Sequence, residues 1–210
     1  MKVQSSTIEN KHLRVKSINI GACLYEVYDK QKKINLILNL GPTKNYGNKN
    51  FYVGATCGRY AGRISNSKFN IQNKIYKLDG NEGKNTLHGG KIGFDRLEWK
   101  IHQHSKNKII YKLLSKNLDQ GFPGDLNSEC TFELKNKSLF IKYQYQSNQL
   151  THVSLTNHSY WNLNKNKKKT IFNDLTPEEM LQLGTSLANE GLRKLIKSNQ
   201  EAQDSYFKDF

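Results

Sequence analysis

Two histidines stand in segments whose composition suits proton transfer and ligand contact. His158 lies in Thr156-Asn-His-Ser-Tyr-Trp-Asn-Leu163, just past the alternating Val153 and Leu155, where the chain leaves a strand. An imidazole with an ordinary pKa of about 6.5 can give and take a proton near neutral pH. His88 opens His88-Gly-Gly-Lys-Ile-Gly-Phe-Asp95, with Trp99 close behind, and its two glycines let the backbone approach a ligand closely. A third segment, Gly54-Ala-Thr-Cys-Gly-Arg-Tyr-Ala-Gly-Arg-Ile64, brings Arg59 and Arg63, and a fourth, Gly121-Phe-Pro-Gly-Asp-Leu126, is rich in turn residues. Each has a plainer alternative: a hydrogen-bonded loop histidine at 158, a turn histidine at 88, a surface ion pair at Arg63. His102 and His104 share a strand face without a third ligand nearby, and His12 and His152 carry no pattern. Cys23, Cys57 and Cys130 form no CxxC pair and no metal-ligand spacing, which reads as reduced, buried thiols. The chain has no phosphate-cradling glycine loop opening a helix and no Ser-His-Asp signature.

In order, spacing and wording these four segments resemble the aldose 1-epimerase (galactose mutarotase) family. The opening INIGACLYEVYDKQKKINLILNL is similar to that family's first strands, and the resemblance runs over roughly residues 8–163. It implies an isomerase that interconverts the α and β anomers of a free aldohexose such as galactose or glucose, with no cofactor and no metal. Such chemistry opens a hemiacetal: one proton goes onto the ring oxygen while another leaves the C1 hydroxyl, and closure on the other face reverses both. The site therefore needs one acid and one base. By resemblance His158 is the general acid, while Arg63 and His88 bind the sugar. Arg59 reads as structural, Gly62 stands where many members carry Asn, and Trp161 reads as core packing. In the family the base is a Glu late in the chain, and no residue after Leu163 aligns with it. Glu178, Glu179 and Glu190 are available carboxylates, but the first two suit a helix start, so the base is left unassigned.

The elements that must position these residues read as all-β. Short alternating or β-branched runs recur over Leu13–Ile20, Ala22–Tyr28, Ile34–Leu40, Leu97–His104, Lys108–Leu114, Cys130–Leu134, Leu139–Tyr145 and His152–Thr156. KFNIQNKIYKL around Asn73 reads as a hairpin, with Phe69 and Ile71 answered by Ile75 and Leu78. Long Gly- and Asn-rich loops fill Arg59 to Gly93, the usual place for binding residues on a sheet scaffold. The expected architecture is a galactose-mutarotase-like β-supersandwich, C-terminally truncated: residues 1–163 a partial sandwich, 164–176 a basic linker and 177–210 a helical tail. The tail opens on the capping box Thr176-Pro-Glu-Glu179. Truncation would leave strand edges open, so a partner chain carrying the missing C-terminal strands enters the expectations.

Composition supports a globular core and excludes some classes. Hydrophobic residues make up 36% of the 210, and 11 Tyr, 9 Phe and 2 Trp supply bulk. No apolar run approaches a membrane span and the N-terminus has no apolar signal region, so the default compartment is the cytoplasm. The net charge of +15 invites an anionic partner. It comes from 28 Lys and only 5 Arg, scattered through an Asn-rich chain, whereas readers of nucleic acid lean on Arg. This weighs against nucleic acid, which leaves a monosaccharide as the expected partner, with a non-catalytic sugar-binding protein as the alternative.

Overall fold

The computed structural model describes residues 2–46 and 52–163. The helical tail and the basic linker expected beyond Leu163 lie outside the described residues. The first sheet is antiparallel and runs β1 (Ser5–Glu9), β2 (Leu13–Ile18), β3 (Cys23–Asp29) and β4 (Ile34–Asn35) in sequence order. Short ladders follow, formed by β5 (Thr56–Cys57), β6 (Arg63–Ile64), β7 (Lys68–Ile71), β8 (Lys74–Lys77) and β9 (Thr86–Leu87). The second sheet is the meander β10 (Lys100–His104), β11 (Lys108–Ser115), β12 (Leu126–Lys135) and β13 (Ser138–Ser147), after which comes β14 (Thr156–Asn157).

Period-two alternation explains why the sheets stack. Ile8, Leu13, Val15 and Val27 of the first sheet meet Ile109, Tyr111, Cys130, Phe132 and Leu134 of the second in one buried cluster with Trp99 and Phe94. Polar atoms taken into this layer are paired: Ser17 Oγ with the Tyr111 hydroxyl at 2.8 Å, and Trp99 Nε1–H donating to the Phe94 carbonyl at 3.1 Å. The all-β sandwich is therefore as expected. β1 was not foreseen, because its sequence, SSTIE, offers one large apolar residue to the core.

The hairpin is present but its register differs from the expected one. Gln72 and Asn73 both take left-handed backbone (φ 49° and 63°) and make a two-residue turn. Such a turn sets Ile71 opposite Lys74 and Phe69 opposite Tyr76, with Ile75 opposite Asn70. Hence Tyr76 stacks on Phe69 and is buried, while Ile75 is left 63% exposed. Among the described residues no helix is long and apolar enough to cross a membrane.

Candidate active site

Two short ladders assemble the site. β14 pairs with β5, setting Thr156 opposite Cys57 and Asn157 opposite Thr56. His158, the next residue, is clamped by main chain: its N–H donates to the Ala55 carbonyl at 2.8 Å and its carbonyl accepts from Gly54 N–H at 3.0 Å. Asn157 Nδ2 donates to the Gly54 carbonyl at 2.8 Å, closing the same corner. β6 pairs with β9, setting Arg63 opposite Leu87, so His88 emerges beside the arginine. His88 sits at φ 51°, and Gly89 packs so tightly on the Gly58 carbonyl that a Cβ there would collide with it. The glycine after His88 thus serves close approach of two backbone segments, which is what lets the ring reach the site.

His88 and His158, seventy residues apart in sequence, meet edge-to-face with ring centroids 5.2 Å apart. Tyr52 packs against both, at 4.7 Å from His88 and 5.8 Å from His158, and Tyr160 lies 5.1 Å from His158. Both imidazoles are half-buried. Burial, then the neighbouring His158 and Arg63, pushes His88 down to about 4. Burial also holds His158 below its ordinary value. Because a charge on His158 opposes one on His88, the pair accepts a single proton first at His158. Gly62 N–H donates to His88 Nδ1 at 3.0 Å, so the neutral ring carries its proton on Nε2 and offers a donor there. Gly62 itself has open space where a Cβ would stand.

Arg63 makes a two-pronged ion pair with Glu82, Nε and Nη2 each 2.6 Å from a carboxylate oxygen. Its side chain is 61% exposed, so the pair contributes modestly, about 0.2–1 kcal/mol, and is open to exchange for another partner. Arg59 differs in every respect. It is fully buried, its guanidinium donating to the carbonyls of Pro123 and Gly124 at 2.9 Å and to Ser115 and Lys116. The Gly121–Leu126 motif is its receptor, so Arg59 holds the β5 region to the second sheet. Trp161, expected in the core, is 45% exposed, although its segment is held to Leu36–Leu38 by main-chain bonds and bridges Ile37. His102 and His104 are exposed on β10, and His152 packs against Phe69.

Two residues near the histidines had no sequence signal. Cys57 Sγ lies within 4.8 Å of a nitrogen of each ring. Asp95, the last residue of the His88 motif, is 9% exposed, and burial pushes its carboxyl up to about 6. It lines a small cavity with Tyr52, Tyr46 and Ala55, behind the histidine pair.

Comparison with known proteins agrees with the all-β sandwich. The sequence model described as aldose 1-epimerase matches residues 4–183, twenty residues past the end of the motif-based resemblance. The chain belongs to the aldose 1-epimerase family. The galactose mutarotase of Sus scrofa is 38% identical over 164 residues, covering 77% of this chain and 48% of the relative. The aldose 1-epimerase of Haemophilus influenzae is 33% identical over 195 residues, covering 90% and 56%. The chain thus spans about half the length of the curated relatives it matches. Among solved structures, an aldose epimerase homologue from C. elegans superposes with TM-score 0.73 at 29% identity, over 77% of this chain and 51% of the other. The galactose 1-epimerase of Lactobacillus acidophilus gives 0.67 at 28% identity, over 78% and 54%.

Proposed function

We propose that this chain binds a free aldohexose at the His88–His158 pair and interconverts its anomers by acid/base ring opening, with His158 as the acid. The observation that carries the reading is the 5.2 Å edge-to-face pairing of two half-buried imidazoles, beside an arginine whose charge reaches His88. Protonated His158 delivers its proton to the ring oxygen as the C1–O bond breaks, and a base takes the C1 hydroxyl proton to leave an open-chain aldehyde. Rotation about C1–C2 followed by the reverse transfers yields the other anomer. His88 remains neutral above about pH 4 and donates from Nε2 to a sugar oxygen. Arg63 joins it by turning from Glu82 to a hydroxyl.

The base stays unassigned. Asp95 is the carboxyl nearest in kind, but its side chain is 4% exposed and cannot meet a C1 hydroxyl in the site. Glu178, Glu179 and Glu190 lie outside the described residues. Without a placed base, activity of this chain falls well below that of a full-length relative, and a partner chain or fused segment carrying further strands of the family raises it. The same observation favours a second reading, a sugar-binding protein without catalysis.

Polarimetry of freshly dissolved α-D-galactose tests the proposal. Modest acceleration is expected, falling to the solvent rate for His158→Ala, while sugar binding persists. Acceleration untouched by His158→Ala would remove the acid. Binding of D-galactose without acceleration in either protein would select the second reading.

A further inference from the structure

One side chain next to the histidine pair has no part in that mechanism. Cys57, His88 and His158 each present a donor atom, and the three atoms lie within 4.8 Å of one another. Cys57 is closed to solvent while both imidazoles are half-buried, so an ion reaches the cluster from the histidine side. We propose that Cys57, His88 and His158 form a site for a thiophilic divalent cation of the zinc class, which competes with a sugar for the two histidines. The metal half of this proposal is independent of the sugar reading above, and the competition half rests on it.

The donor set suits the ion: one thiolate and two imidazoles are ordinary zinc ligands, and a fourth position stays open. Tetrahedral bonds of about 2.0–2.3 Å place neighbouring donors about 3.3–3.6 Å apart, so donors that lie within 4.8 Å of one another contract by up to about 1.5 Å. Binding replaces the Cys57 S–H bond with a sulfur–metal bond and releases that proton to solvent. A metal at His88 Nδ1 displaces the Gly62 N–H bond there, and one at Nε2 moves the ring proton to Nδ1, so that bond is lost either way. Loss of one such bond weakens binding by about 10–100-fold. Thiolate–imidazole zinc sites bind with many powers of ten in reserve, so the metal wins. Burial first, and then the nearby Asp95 carboxyl, hold the Cys57 thiol above its ordinary value, so the sulfur–metal bond must offset that resistance to losing the proton.

Titration of the untagged 210-residue protein with Co²⁺, a spectroscopic stand-in for Zn²⁺, decides the matter. One equivalent is expected to produce a near-ultraviolet thiolate-to-cobalt charge-transfer band and intense tetrahedral visible bands, both erased by Zn²⁺. Cys57→Ala should abolish the charge-transfer band although Cys23 and Cys130 remain. It should also weaken Zn²⁺ by more than the about 10–100-fold typical of losing an outer-shell partner. Cys57→Val, which keeps the site packed, should do the same, with a native far-UV circular dichroism spectrum for each variant. A cobalt spectrum without a thiolate band, or a band that survives both substitutions, overturns the site. Saturating D-galactose should weaken the apparent affinity for Co²⁺, read as a shift of the titration midpoint. A Cys57-dependent band whose titration midpoint is indifferent to D-galactose overturns the competition while leaving the metal site standing, and the sugar reading is judged separately by the polarimetry above.

Discussion

Burial acts in opposite directions on the titratable side chains around the site. It lowers His88 to about 4 and raises Asp95 to about 6. For Asp95 the folded value lies above the unfolded one of about 3.9, so its contribution to stability is fully present below pH 3.9 and is lost as pH rises through 6. The span amounts to about 3 kcal/mol, from about two pKa units at 1.36 kcal/mol each. His88 runs the other way, its contribution present above about 6.5 and lost as pH falls toward 4. Replacing Asp95 by Asn removes only the first effect. Urea unfolding at pH 4 and pH 7.5 should therefore show Asp95→Asn gaining about 2–3 kcal/mol on the parent protein at the higher pH. A stability difference that does not change with pH would show that the carboxyl is not desolvated as described.

At the scale of elements, short ladders do the positioning and the two large sheets provide the wall behind them. The β5–β14 and β6–β9 pairs are two residues long on each strand, yet by setting Asn157 opposite Thr56 and Arg63 opposite Leu87 they fix where the following His158 and His88 emerge. Ladders so short are marginal alone, and Arg59 secures their neighbourhood by spanning to the Gly121–Leu126 turn. The β7–β8 hairpin illustrates how a turn governs its strands. Gln72 and Asn73 occupy the left-handed region at a cost that glycine avoids. Asn73→Gly should raise the free energy of unfolding by several tenths to about 1 kcal/mol, read from a denaturant midpoint with unchanged slope. A loss instead would mean that the Asn73 side chain holds the turn through contacts beyond its backbone.

Over the whole molecule, charge and an open sheet edge oppose each other. β13 ends its sheet among the described residues, and Phe140 and Tyr145 on it are more than half exposed. An edge of this kind invites strand addition by another copy. The net charge of +15 resists it, but over a range of only about 10 Å at 0.1 M salt. Light scattering should find self-association rising between low salt and about 0.5 M salt, and Phe140→Lys should suppress the rise. Association that weakens with added salt would instead identify charge pairing as its cause.

Much of this molecule was legible in its sequence. Alternation along β2, β3, β11, β12 and β13 marked the sandwich, because a half-buried strand must repeat every two residues. The four motifs pointed to His88, His158 and Arg63, and the isolated Arg59 read correctly as structural. Trp161 was misjudged, since an aromatic residue in a motif carries no mark of whether its segment ends at the core or the rim. The hairpin register escaped as well, because it follows from backbone angles at Gln72 and Asn73 and not from apolar spacing. Cys57 and Asp95 gave no signal, because their burial beside the site is set by segments distant in the chain. Sequence by itself determined strand periodicity, the family and which side chains could do chemistry, all properties of local pattern. Only the tertiary structure decided that residues 57, 88 and 158 share one corner, because two-residue ladders closed between distant segments put them there. It also decided which imidazole keeps a proton, since burial and a neighbouring ring set that affinity.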